Sequence, residues 1–252
     1  MFKSRRQSSQ MICSFRKSWT SLSWIIAAPF ICVSAALCYA QAGAPLTPIS
    51  LDDLHVTNGV VTALRNGALA IDAPSSRAVL RTAPVSGADQ AAEIRFRYVG
   101  PSKADKPLAS GELRRQIGLK LRAADSCNLV YVMWHIAPDS RIAVSVKRNA
   151  GHRHSQCGAR GYQSIAPNLQ SVPRPIRIGE VHTLRADLRG RTLTVTADGE
   201  LVWQGTLTSQ PPAGPPGFRT DNARFVLEYL ASGLPSPQAA PGSDCHEQTA
   251  GK

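Results

Sequence analysis

Residues 182–190 read HTLRADLRG, 191–205 read RTLTVTADGELVWQG and 217–230 read GFRTDNARFVLEYL. Apolar and polar residues alternate with period two in each run, the pattern of half-buried antiparallel strands. The breaks fall at Arg189-Gly190, at Asp198-Gly199 and in a Gly/Pro-rich stretch before Gly217, all of which suit turns. This closing third predicts an architecture without a reaction: no nucleophile triad, metal-ligand set or phosphate loop accompanies it.

The same alternation predicts strands over 60–64, 68–73, 91–99, 116–122, 128–136 and 142–148, besides 183–188, 192–197, 201–203 and 223–230. With no internal repeat and no convincing amphipathic helix, these short strands indicate an all-β, two-sheet antiparallel sandwich. Parity then sorts the side chains. Ile94, Phe96 and Tyr98, Ile117, Leu119 and Leu121, Val130, Val132, Trp134 and Ile136 are expected in the core. Ile142, Val144 and Val146, Leu184, Ala186 and Leu188, and Leu193, Val195 and Ala197 should join them. The alternate positions hold Glu93, Arg95, Arg97, Gln116, Lys120, Arg122, Tyr131, His135, Lys147 and Arg185, so one basic outward face is expected. Trp203 either closes the core edge or lies exposed as a stacking surface.

Residues 1–42 are expected to be a signal peptide. Lys3, Arg5, Arg6, Arg16 and Lys17 precede the apolar run WIIAAPFICVSAALCYA, and cleavage is expected after Ala42 in Ala40-Gln41-Ala42. Met11 would give a shorter basic region and is an alternative start. The serines after Arg5-Arg6 favour general secretion over the twin-arginine route, and Leu37 before Cys38 speaks against a lipoprotein anchor. An exported, periplasmic or extracellular protein follows, with one domain over 43–232, a disordered tail over 233–252 and no stable membrane insertion after cleavage.

The leader carries five of the 29 basic residues and none of the 17 acids, which leaves a formal charge of +7. That excess is dispersed, which suits anionic glycans or an anionic cell surface; an exported chain seldom meets nucleic acid, and none is expected as a partner. Cys127, Cys157 and Cys245 follow the leader. Export permits disulfides, and a Cys127–Cys157 bridge would pin the loop after one hairpin to the start of its first strand. Such a bridge contributes about 3 kcal/mol in the chain-entropy model. Cys245 is left free or paired with another chain.

The order strand, Arg189-Gly190 turn, strand, Asp198-Gly199 turn, Leu201-Val202-Trp203, then Gly217-Phe218-Arg219-Thr220-Asp221-Asn222 and a final strand resembles the closing half of concanavalin A-like lectin/glucanase jelly rolls. It is most similar to their laminin-G-like and 3-keto-disaccharide-hydrolase-type domains, in which a "G-hydrophobic-R-S-D-N" turn precedes the last strand. The resemblance covers 180–230 well and earlier strands in outline, and it implies a concanavalin A-like jelly roll. The departures bear on activity. The Glu-x-Asp-x-x-Glu strand of the glucanases is absent. Retaining glycoside hydrolysis needs two carboxyls about 5 Å apart, and acids are scarce on the expected strands. Jelly-roll alginate lyases carry Gln-Ile-His where this chain has Gln116-Ile117-Gly118, without the imidazole.

Binding of an anionic poly- or oligosaccharide, or of the cell envelope, is the function these features favour. The expected contacts are Arg95, Arg97, Lys120, Tyr131, His135 and Lys147 on a concave basic face. The rival is a polysaccharide lyase or keto-sugar hydrolase using His135, His152, His154, Arg160 and Tyr162, in which cations neutralise a carboxylate and Tyr or His removes the adjacent proton. A non-catalytic interaction module is a third reading. No cofactor is expected. His152-x-His154 is a weak metal signal, and no transition metal is expected; Asp52, Asp53 or Asp221 could contribute to a structural calcium site. Asp221 and Asn222 are read as Asx residues capping a tight turn after Gly217.

Overall fold

A computed structural model describes residues 46–81 and 89–234. The expected leader and Cys245 lie outside the described residues. The strands are β1 (Thr47–Pro48), β2 (Leu54–Asn58), β3 (Val61–Ala63), β4 (Leu69–Leu80), β5 (Gln90–Pro101), β6 (Arg115–Leu121), β7 (Leu129–Ala137), β8 (Arg141–Lys147), β9 (Tyr162–Ser164), β10 (Leu169–Gln170), β11 (Val181–Arg189), β12 (Thr192–Ala197), β13 (Glu200–Thr206) and β14 (Gly217–Gly233). A single 3₁₀ turn, His154–Cys157, precedes β9. No helix among the described residues is long and apolar enough to cross a membrane.

All the pairings are antiparallel, and β14 organises them. Along one edge it pairs with β4 from Gly217 to Leu227. Along the other it pairs with β6 through Gly217–Asp221 and with β5 from Ala223 onward. Two layers grow from this ribbon. The first runs β2-β4-β14-β6-β7-β8-β9, and the second runs β4-β14-β5-β11-β12-β13-β10. The layers face each other across an aromatic centre: Phe96 of β5 meets Trp134 of β7 edge-on, with ring centroids 6.0 Å apart, and Trp134 meets His182 of β11 at 5.3 Å.

The change of partner is made at Asn222, whose φ of 53° is left-handed, a conformation asparagine tolerates better than most residues. Its side chain accepts from the Lys106 amide at 2.7 Å and donates to the carbonyls of Lys106 (2.9 Å) and Arg114 (3.1 Å). Gly217–Asn222 is thus strand, not the turn expected from Asp-Asn. The Asx chemistry is used on distant partners instead of its own backbone. Gly217 is required for close pairing, because a Cβ there would overlap the Ala78 carbonyl.

Every apolar set singled out by parity lies in one core cluster, with Ile136 packed at its margin. Trp134 and Trp203 are both buried, so Trp203 is a core residue rather than a stacking surface. The expected ten strands all occur; β1, β2, β9 and β10 were not anticipated, being short or lacking alternation. Cys127 and Cys157 form the expected disulfide, with Cα atoms 5.6 Å apart.

The outward residues do not form one basic face. β5 and β6 both follow β14, but end to end and in different layers. Arg95 and Arg97 therefore stand on the outer surface of the second layer, where both pair with Glu228 at 2.7 and 3.0 Å. Lys120, Tyr131, His135 and Lys147 stand on the first.

Candidate functional site

The outer face of the first layer carries buried polar groups, unlike an ordinary solvated sheet face. Strand register arranges them in rows. Lys120 on β6 lies opposite Gly217 on β14 and Tyr131 on β7. In the next row Arg77 on β4 faces Arg219 on β14, which faces Gly118 on β6 and, beyond it, Met133 on β7. Asp221, Gln116 and His135 form the third. Tyr162 on β9 lies opposite Lys147 on β8, and this pair closes the far side.

A cleft of about 980 Å³ opens over the first two rows. Its walls are β2, the loop at 106–109, the loop at 123–126, and Gly158 with Ala159. Local chemistry holds each wall. Asn222 pins the 106–109 loop through the hydrogen bonds given above. The Cys127–Cys157 bridge and Asn149, which donates to the carbonyls of Cys127 (3.1 Å) and Arg160 (3.0 Å), fix the wall before β9. Gly118 cannot carry a side chain, because a Cβ would overlap the Val132 carbonyl and Met133.

The charges of this face fall into two groups. Arg219 donates to both carboxylate oxygens of Asp221, at 2.7 and 3.3 Å, and Gln116 donates to Asp221 at 2.6 Å. Burial alone would lower the Arg219 pKa, but Asp221 more than offsets this and the guanidinium stays charged. It also lies 5.1 Å from the centre of the Tyr131 ring. Lys147 donates to the carbonyls of Ser126 (3.0 Å) and Gly158 (2.7 Å) and sits 5.1 Å from the Tyr162 ring centre. These cations are satisfied. Lys120 is only 3% exposed and makes no hydrogen bond or ion pair with any described residue. Burial, then the Arg77 and Arg219 charges, lower its pKa from the usual 10.5 to about 7. The Nε of Arg77 is buried without a partner.

Tyr131 and Tyr162 stack with centroids 6.0 Å apart and planes at 21°. Burial pushes the Tyr131 hydroxyl up to about 12, whereas Tyr162 is 44% exposed at the rim. The face thus offers an aromatic edge beside cations.

Of the residues singled out from the sequence, Lys120, Tyr131, Lys147, Tyr162 and Asp221 line this cleft. Arg95 and Arg97 are in the other layer. His135 shares the face but lies buried past the cleft, where Arg114 contacts its Nε2 at 3.3 Å. Burial, then Arg114 and Arg141, lower its pKa to about 3, so the imidazole is neutral at ordinary pH. His152 and Arg160 are exposed and are not part of the lining; the side chain of His154 lies outside the described residues. Sequence reasoning did not single out Arg77 or Arg219. Once 217–221 is a strand, parity from Phe218 places Arg219 and Asp221 on this face. Among the described residues no group of three or more His, Cys, Asp or Glu could hold a metal ion, and Asp221 is engaged by Arg219 and Gln116.

A two-layer β-sandwich with a cation-lined cleft on one outer face is the class of protein these features define. No known protein family and no curated protein matches the sequence. Solved structures do. The chain is similar to a carbohydrate-binding module, CBM66, of Bacillus subtilis, with a TM-score of 0.53 and 15% identity over 74% of this chain and 96% of that one. It also matches domain 4 of AbnA, an extracellular arabinanase of Geobacillus stearothermophilus solved with arabinotriose, with a TM-score of 0.46 and 10% identity over 73% of this chain and 84% of that one. At such identities the likeness is one of fold.

Proposed function

We propose that the protein is an exported carbohydrate-binding β-sandwich of the concanavalin A-like kind, and that it takes an anionic poly- or oligosaccharide in the cleft of the first layer. One observation carries this reading: Arg77, Lys106, Lys120, Lys147 and Arg219 line the cleft against only two carboxylates, Asp125 and Asp221. An excess of cations in a concave, partly dewatered site attracts anionic ligands and raises their local concentration. The exposed Tyr162 ring at the rim gives a sugar face an apolar surface to lie on. The fold shared with a carbohydrate-binding module supports the reading without specifying the ligand.

A glycan array of the purified protein at low and high salt tests it. Retention on uronate-rich or sulfated glycans, weakening as salt rises, is expected. Equal retention on neutral glycans would remove the anionic part of the reading, and no retention on any glycan would remove the whole. An ultraviolet assay on the same polymers separates binding from a lyase activity, since a lyase releases unsaturated products.

A further inference from the structure

The cleft holds one group whose state no protein contact explains. Lys120 is buried on the strand that forms the floor, and nothing described accepts from its Nζ. The groups facing it account for themselves. Arg219 and Asp221 from β14 neutralise each other, and Lys147 from β8 is held by two carbonyls. Burial keeps the Tyr131 hydroxyl of β7 protonated, and the Tyr162 ring of β9 stacks on it. Of the other bordering elements, Asp125 is turned to the Cys127 amide and the Asn128 side chain, Lys106 only adds positive charge, and β2 brings His55, which supplies no counter-charge. Arg77 from β4 remains, with its own Nε buried and unmatched.

A buried amine without an acceptor costs the fold stability, and a methionine would fill the same space more cheaply. The space in front of it is kept open as well. Its cross-strand neighbour on β14 is Gly217, and Gly118 stands opposite Arg219, so neither position projects a side chain between Lys120 and Arg77. An oxyanion brought there meets one ammonium and one guanidinium, each lacking a counter-charge. A neutral sugar hydroxyl could accept their hydrogen bonds but would leave both charges uncompensated.

We propose that Lys120 and Arg77 form the subsite that seats the acidic substituent of the bound sugar, and that this subsite decides acidic over neutral ligands. The inference rests on the reading of the cleft as a glycan site and names the atoms that would make it selective. It has a second consequence. In the empty cleft the amine is largely neutral above pH 7, and an oxyanion against it restores the ammonium. Binding in mildly alkaline solution should therefore take up about one proton per ligand.

Titration calorimetry of the full chain with oligogalacturonate, oligomannuronate and a sulfated, uronate-free carrageenan oligosaccharide, the uronates each beside a carboxyl-reduced and the carrageenan beside a desulfated neutral counterpart, tests this. Wild type should prefer at least one acidic member by tenfold or more (an order-of-magnitude expectation), and which member binds tells carboxylate from sulfate. Lys120→Met should lose that preference while still folding, melting cooperatively and no lower than wild type, and Arg77→Met should weaken it. Arg95→Ala/Arg97→Ala, on the other layer, should leave it unchanged. Repeating the wild-type titration at pH 8.5 in two buffers of different ionisation enthalpy reads proton uptake without any variant. An undiminished preference in folded Lys120→Met, or wild-type binding of an acidic member without proton uptake, overturns the subsite and leaves the glycan reading standing. Failure of wild type to bind any member, acidic or neutral, overturns both.

Discussion

Lys120 illustrates how a group placed for a ligand weakens the fold that carries it. Its pKa is about 7 in the folded protein and near 10.5 in an unfolded chain. Between those values the unfolded chain binds more protons, so stability rises with pH across the interval, and below pH 7 the full cost is present. Lys120→Met should therefore raise the melting temperature at pH 6, by an amount equivalent to about 1–3 kcal/mol, and the gain should shrink toward pH 10. Melting curves of both proteins at the two pH values check this; a pH-independent difference would contradict it. His135 works at the acid end. It is held neutral down to about pH 3, whereas an unfolded histidine protonates near 6.5. Stability should fall as acid is added through that range, and His135→Gln should lessen the loss. That Lys120 points outward was legible from alternation in β6; that it is buried was not, because the loops at 106–109 and 123–126 that wall the cleft around it carry no periodic signal.

At the scale of elements β14 was half legible. Its second half alternates from Ala223 to Leu227, and those residues fall in the core as parity requires; past the register shift between Leu227 and Tyr229, Leu230 joins them out of step. Its first half contains Asp221-Asn222, which local chemistry assigns to a turn, and only pairing with β4 and β6 reveals a strand. Misreading those six residues hid Arg219, while taking all the outward parity sets together joined β5 to β6 in one face. Replacing Asn222 by Ala removes three long-range hydrogen bonds and strains a left-handed residue, so a loss of about 2–4 kcal/mol is expected in chemical denaturation. Asn222→Gly should lose less, since it relieves the backbone and forfeits only the side-chain bonds. Equal losses would mean that the φ of 53° carries no strain.

Over the whole molecule the sandwich was legible because its core strands alternate, and the cleft was not, because its walls are loops and short strands positioned by single side chains. The disulfide is the covalent one among these ties, joining residues 30 apart. Cys127→Ser/Cys157→Ser should lower stability by about 2–4 kcal/mol. It should also weaken ligand binding more than stability alone accounts for, since Gly158, whose carbonyl holds Lys147, lies next to Cys157. Binding measured well below the melting temperature of the variant separates the two effects. Unchanged affinity would show that β9 keeps its place without the bridge.

The ribbon of β4 and β14 has a mechanical meaning as well. Arg219 and Asp221 lie at its cleft end, and the same strand continues without a break to Gly233. Its ladder bonds run across the strand direction. A pull between a bound polymer and the carboxyl end therefore loads many of those bonds in shear at once, instead of peeling them one by one. A protein held to a dragged or flowing chain would bear that load along a single continuous strand.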